Sequence, residues 1–399
     1  MGAALYLKLG TPAYRAASAA LFMAGFGTFA VLYSVQPLMP RLSAAFGVSP
    51  TVSSLSLSYA TGTLAISMLV VSTVSERLGR KRLMAVCLFA AAILTISVAI
   101  SSSWNGLLVL RALTGLVLSG VPAVAMAYLA EEIEGPSLPR AVGLYIGGTA
   151  MGGLTGRLLT GLVVDLTGSW RLAVAAIGVI SLFGAVGFLR LLPPSRHFTP
   201  AEPGQLARPL RLLGRHLLDG RLRRLYLSGF LLMGAFVTLY NYTAYRLVAP
   251  PFSLRESWIA AIFLVYLTGT PASTAFGAWA ARWGHARVLC AGVMVMLTGV
   301  ALTLVGQLAV IVLGILIFTA AFFGAHAVTS GWIATYAKEG RVQASALYLF
   351  FYYLGSSVFG AGAGLVWTAK GWTGVAALVM ALLALDIVVI AAPRPKLAA

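Results

Sequence analysis

Twelve stretches of mainly apolar residues, divided by short polar gaps, leave this chain few folds to choose from. A helix crosses the hydrocarbon core of a bilayer with about 20 such residues. Within lipid its backbone N–H and C=O groups must bond inside the segment or to neighbouring protein, so a run of this kind reads as a helix. The spans lie at Ala17–Met39, Val52–Ser75, Leu83–Ser101, Gly106–Ala130, Leu138–Val163 and Arg171–Leu192. A second set follows at Leu225–Leu247, Trp258–Ala281, Val288–Gly306, Ala309–Thr335, Val342–Thr368 and Thr373–Ala391. Composition supports this reading, because 60% of residues are hydrophobic and 10% charged, against about 25% charged in a soluble domain. The expected fold is an all-α membrane protein of 12 transmembrane helices in two pseudo-symmetric six-helix bundles.

The formal charge of +18 suggests nucleic acid only until its distribution is followed. The cations cluster in short gaps between apolar runs, with no interleaved aromatic and basic face. With both ends on one side, that side collects 21 of the 28 Lys and Arg and the other side 5, while Arg111 and Arg157 fall within spans. Positive loops face the cytoplasm, so both termini are expected there, in a bacterial inner membrane. The run after Lys8 and Arg15 exceeds the roughly 7–15 residues of a signal-peptide core and is expected to remain as the first span. Cys87 and Cys290 each sit inside an apolar run and read as small core residues. The expected layout is a first bundle over 1–192, a partly helical cytoplasmic linker over 193–224, and a second bundle over 225–399.

The second half repeats the first. Gly27–Tyr33 aligns with Gly234–Tyr240, and Tyr59–Thr63 with Tyr266–Thr270, both at an offset of 207. Arg77–Arg80 faces Arg282–His285. Leu144, Tyr145 and Gly152 match Leu347, Tyr348 and Gly355 at an offset of 203, and Gly168 then matches Gly371. An even number of spans per half makes the halves parallel repeats, an architecture that carriers use to place a substrate site at the repeat interface.

Between the second and third spans stands Ser72-Thr-Val-Ser-Glu76-Arg77-Leu78-Gly79-Arg80-Lys81-Arg82. It resembles the first cytoplasmic motif of the major facilitator superfamily, with Ser72 for the leading glycine and Glu76 for the aspartate. Arg111 followed by Gly115 is similar to the family's second motif. The fifth span, with Gly148, Gly152, Gly153 and Gly156, resembles the glycine-rich antiporter motif without its Gly-Pro pair. Within the superfamily the chain is most similar to the twelve-span drug:proton antiporter branch, near the acriflavine-sensitivity group of bacterial inner-membrane transport proteins. The resemblance implies alternating access, a small-molecule substrate, protons as coupling ion, and no enzymatic activity.

The candidate residues fall into three sets. Glu76, Arg77, Gly79, Arg80, Lys81 and Arg82 form a cytoplasmic charge cluster, with Glu131 and Glu132 as plausible partners; it reads either as a conformational latch or as solvated topology signals. Gly148, Gly152 and Gly156, four residues apart, permit close helix contact. The third set concerns substrate and proton coupling. A charge five residues into a span, as Arg111 is, costs several kcal/mol unless it meets a cavity or partner, or unless it snorkels to the interface. Arg157 divides between cavity charge and interface anchor. His326 titrates nearest physiological pH or is a packing residue. The first span lacks the acid common in such antiporters, reading Tyr33-Ser-Val-Gln36-Pro37. Asp165 and Asp386 are the other intramembrane acids, with Asp386 late in a span that reads as peripheral.

Helices one, four, seven and ten line the cavity in the superfamily the chain resembles, which implies a lining of Tyr33, Gln36, Tyr240, Asn241, Tyr245, Phe322, Phe323, Tyr348, Phe351 and Tyr352. Such a surface suits amphipathic compounds, and export of hydrophobic or drug-like molecules is the first reading. Uptake or exchange of a small organic anion, clamped by Arg111 and Arg157, is the second. No metal-ligand cluster, nucleotide-binding loop or nucleophile–base spacing supports an enzyme or an ATP-driven pump, and neither a cofactor nor a nucleic-acid partner is expected. The lipid bilayer is the expected surrounding and a monomer the expected state.

Overall fold

Pro12 opens the first helix at a position where a missing N–H costs nothing, and Thr11 caps it, accepting from the Tyr14 N–H at 3.2 Å. The computed structural model describes residues 6–198, 207–337 and 339–392, with the side chains of 72–78 and 207–210 outside the description. The helices are α1 (Pro12–Tyr33), α2 (Met39–Phe46), α3 (Pro50–Leu78), α4 (Arg80–Ile100), α5 (Trp104–Leu118), α6 (Pro122–Glu132), α7 (Leu138–Thr167) and α8 (Trp170–Leu191). They continue as α9 (Ala207–Leu218), α10 (Gly220–Val248), α11 (Glu256–Ala261), α12 (Gly269–Trp283), α13 (His285–Leu302), α14 (Leu308–Tyr336) and α15 (Arg341–Ala391). Among the described residues there is no strand, only one isolated bridge between Leu7 and Ile133.

Among the described residues, ten helical stretches are long and apolar enough to cross a bilayer. Two features reconcile this count with twelve expected spans. Helix α7 fills the fifth span with 30 residues. Helix α15 runs for 51 residues, about 77 Å at 1.5 Å per residue, far more than a hydrocarbon core of roughly 30 Å. It breaks at Gly371, whose φ of 56° and ψ of −146° are not helical, so it is two helices, the eleventh and twelfth spans, that meet at this residue. Two other spans are interrupted. The fourth is split into α5 and α6 ahead of Pro122, which has no N–H to continue the ladder. The eighth passes from α11 through a 3-10 stretch, Ile262–Thr268, into α12. In the linker, α9 ends at Leu218, and the Asp219 side chain then caps α10 by accepting from the Arg221 and Leu222 N–H groups.

By contacts the chain falls into two compact units: Met1–Phe46, Tyr59–Pro203 and Arg255–Ala261 form one, and Gly47–Ser58, Gly204–Leu254 and Ile262–Ala399 the other. The first unit thus includes α11, whose Ala260 Cβ packs where Gly161 of α7 leaves room, and the second includes the first turns of α3, whose Ser58 carbonyl accepts from the Ser357 hydroxyl at 2.7 Å. The internal repeat recurs as geometry. Gly79 (φ 80°, ψ 138°) and Gly284 (φ 86°, ψ 145°) stand at the starts of α4 and α13 in the same conformation.

Candidate functional site

In the first unit, α1 and α7 meet backbone to backbone. A Cβ on Gly148, Gly152 or Gly156 would lie 2.4, 2.1 or 2.7 Å from the carbonyl oxygens of Phe22, Phe26 and Ala30. The spacing of four in both helices makes this a ladder, one rung per turn. Gly153 faces another way: its missing side chain leaves room for the Arg157 guanidinium, and its carbonyl accepts from Arg157 Nη1 at 2.7 Å.

Arg157 gathers the predicted residues at the end of α1. Its Nε donates to Gln36 Oε1 at 2.8 Å, and its guanidinium lies 4.2 Å from the Tyr33 ring centroid. The side chain is buried, at 2% exposure. Cation–π contact and amide oxygens stabilise such a charge out of water, and these three partners are all neutral. Arg111 is as deeply buried, at 1%, but does different work. Nη1 and Nη2 donate to the Val31 and Leu32 carbonyls at 3.2 and 2.6 Å, where the last turn of α1 leaves carbonyls without helical partners. A cation there also meets the negative end of the helix dipole. Gly115, one turn on, brings α5 against α3, with Thr63 Oγ1 donating to the Ala112 carbonyl at 2.7 Å.

The charge cluster forms at the opposite end of α1. Arg80 holds Glu131 with two hydrogen bonds, at 2.7 and 3.2 Å, and lies 5.2 Å from the Phe198 ring centroid. Lys81 Nζ donates to the Leu192 carbonyl at 2.5 Å. Glu132 is engaged by His197, through its backbone N–H at 2.8 Å and its Nδ1 at 3.0 Å, and Lys8 approaches Glu134 at 3.5 Å. The side chains of Glu76 and Arg77 lie outside the described residues. Sequence reasoning missed His197 and Lys8, although the acid run Glu131-Glu132-Ile133-Glu134 marks where basic partners collect. An open groove of about 720 Å³ beside this cluster is lined by Lys81, Arg82, Phe89 and Ile93 among others. It includes none of Tyr33, Gln36 or Arg157, so cavity size alone does not point to the buried arginines. A further pair joins α2 to α11: Arg41 Nε donates to Glu256 Oε1 at 2.5 Å. That hydrogen bond raises the Arg41 guanidinium above its ordinary value.

The second unit carries an aromatic assembly. Tyr240 donates to or accepts from Thr319 Oγ1 at 2.6 Å and stacks on Phe263 at 4.9 Å. Phe236 and Phe322 stack at 3.8 Å. His326 Nδ1 meets the Tyr348 hydroxyl at 2.7 Å, and its ring lies 4.7 Å from Tyr352. Tyr240, Phe322, Phe323, His326, Tyr348 and Tyr352 are therefore joined through ring contacts, and Phe323, His326 and Tyr352 are only half-buried. Phe351 lies against Tyr226 instead. Asn241 and Tyr245 take another face of α10, where Asn241 Nδ2 donates to the Gly360 carbonyl at 3.5 Å and Tyr245 lies 5.9 Å from Trp367. The assembly also contains Phe236, Phe263 and Tyr266, of which Phe236 and Tyr266 had a sequence signal, their places in the repeat.

Comparison with known proteins agrees with this architecture. The profile of the Major Facilitator Superfamily matches residues 21–252. The MFS-type transporter YybF of Bacillus subtilis (strain 168) is 46% identical over 95% of this chain and 93% of its own length. The inner membrane transport protein YnfM of Escherichia coli (strain K12) is 45% identical over 96% and 92%. The chloramphenicol resistance protein CraA of Acinetobacter baumannii is 26% identical over 42% of this chain and 41% of its own length. A solved structure of a bacterial homologue of the human lysosomal transporter Spinster, inward-facing and occupied, superposes with a TM-score of 0.77 at 14% identity, covering 96% of each chain. Apolar helices of membrane length, a motif-bearing turn at Gly79 and near full-length relatives converge on one conclusion: the chain belongs to the Major Facilitator Superfamily and is a multi-pass membrane transporter, not an enzyme.

Proposed function

We propose that this transporter exports small hydrophobic or drug-like molecules by alternating access, driven by protons moving inward, and that it acts as a monomer with both termini in the cytoplasm. The observation that carries the reading is the aromatic assembly of the second unit. It offers half-buried rings of Phe323, His326 and Tyr352 with few hydrogen-bonding groups, which suits planar or amphipathic substrates and loose selectivity. The partial likeness to a chloramphenicol resistance protein supports the same substrate class and the antiporter branch. In this reading Tyr240, His326, Tyr348 and Tyr352 belong to the substrate surface, with Asn241 and Tyr245 beside them. Arg157, Tyr33 and Gln36 form the polar wall of the first unit.

The anion reading is weaker, because Arg111 spends two N–H groups on the carbonyls of α1 and Arg157 donates to Gln36 and Gly153. Export is tested by expressing the chain in a host stripped of its own efflux pumps. Lower chloramphenicol accumulation that a protonophore restores to the vector level is the expected result. Accumulation equal to vector, or indifferent to the protonophore, overturns the reading.

A further inference from the structure

Along the last half of α15 a stripe of buried residues, Val375, Ala376, Val379, Leu382 and Leu383, recurs at helical spacing, and its next member is Asp386. Leu385 and Val388 on the other face are exposed at 48% and 63%, as a lipid-facing surface is. Asp386 itself is 0% exposed, and neither carboxylate oxygen completes a hydrogen bond within the structure. An apolar residue there would continue the stripe at no electrostatic cost. A carboxylate stripped of water without a partner is among the most expensive groups a membrane protein can bury. The enclosure therefore accommodates the neutral acid.

What surrounds the acid is polar on one side only. The Ser228 hydroxyl of α10 stands beside it and is likewise buried without a completed hydrogen bond. The Tyr348 ring packs over Gly229, the residue after Ser228, and the Tyr348 hydroxyl meets His326 of α14 at 2.7 Å. Three basic side chains on the helices packed against α15 have partners of their own. Arg224, one turn of α10 before Ser228, donates to the Ala392 carbonyl at 2.8 Å. On α9, Arg215 bonds Glu339 and His216 bonds the Gly340 carbonyl.

We infer that Asp386 is a proton-binding site of the second unit, connected to the aromatic surface through Tyr348 and His326. This rests on the proton-coupled reading above and gives it a residue. The step is a plain transfer: the carboxyl O–H bond breaks, its proton passes to a neighbouring oxygen or water, and the carboxylate keeps the electron pair. Return of a proton from the other side of the membrane restores the acid. Ser228 and the Tyr348 hydroxyl are the nearby groups that could solvate the carboxylate when local packing opens.

Two measurements on the full chain test this. Dicyclohexylcarbodiimide reacts with protonated carboxyls in apolar surroundings; the acid adds across a C=N bond, its proton going to nitrogen, with no leaving group. Asp386 is the sole acidic side chain after Glu339, so a mass tag in that region identifies it. Purified protein in detergent should take the tag at about pH 6 and lose it progressively towards about pH 9, and D386N should not take it there. D386N should also lose roughly tenfold or more of protonophore-sensitive chloramphenicol export, with D386E retaining part of it. Absence of tagging in the wild-type chain at both pH values overturns the inference. So does D386N export with an unchanged pH profile, and that result leaves proton coupling standing. Wild-type export indifferent to the protonophore sinks the coupling reading instead, and the pH dependence of the tag then decides the proton site alone.

Discussion

Arg111 holds the final turn of α1 by its two guanidinium NH2 groups, so its removal takes a donor from the buried Leu32 carbonyl and leaves the Val31 carbonyl with the Ser34 hydroxyl. An unsatisfied buried group costs about 1–3 kcal/mol, and the Arg111→Ala variant should lose about that much stability, read as a lower melting temperature in detergent. Arg111→Lys keeps the charge but not the fork, and should recover only part of the loss. Should Arg111→Ala melt with the wild type, the capping account fails. Arg157 presents a different case. Tyr33, Gln36 and Arg157 are recognisable in the sequence as unusual residues for their positions, but their partnership is not. Residue 157 lies more than 100 positions from residue 36, and only the fold brings them within 2.8 Å. Asp386 was still harder to read. In the sequence it is one acid in a peripheral-looking span, and its complete burial beside Ser228 of α10 is a property of the packing.

Neighbouring glycines in α7 allow a sharper comparison at the level of the helix. A Cβ on Gly152 would lie 2.1 Å from the Phe26 carbonyl oxygen, whereas one on Gly147 would meet nothing within 4 Å. Gly147→Ala should therefore be neutral or stabilise by up to about 1 kcal/mol through helix propensity alone. Gly152→Ala should push α1 from α7 and destabilise by about 1–3 kcal/mol, the usual range for forcing atoms into a packed contact. The repeat extends this to the second unit. A Cβ on Gly355 would lie 2.0 Å from the Phe230 carbonyl oxygen, while one on Gly362 would meet nothing within 4 Å, so the same pair of thermal measurements should give the same signs there. Equal effects within either pair would refute the ladder. This ladder was legible from spacing, since glycine every fourth residue has few other uses in a membrane helix. The tightness of the joint at Gly371 was not. Gly371 and its polar neighbours look like a loop in sequence, and nothing local shows that two helices meet there at a single residue.

For the chain as a whole, the proposed orientation follows from a cation count of 21 against 5, because positive loops resist translocation. Green fluorescent protein at the C-terminus should fluoresce, and alkaline phosphatase fused at Ser102, in the loop between α4 and α5, should be active. A dark C-terminal fusion together with inactive phosphatase at Ser102 would reverse the topology. The spans and the duplication were readable because hydropathy and repeated glycines are properties of the chain itself. The membership of the two compact units was not, since Arg255–Ala261 joins the first and Gly47–Ser58 the second through contacts that no local pattern encodes.

Gly371 carries a mechanical consequence. Two helices meet at this one residue, the first bearing Tyr348 and Tyr352 and the second Asp386, with no slack chain between them to absorb displacement. A joint that short passes a tilt of either helix on to the other. Occupancy among the rings and the packing around Asp386 are thereby yoked through a single pair of torsion angles.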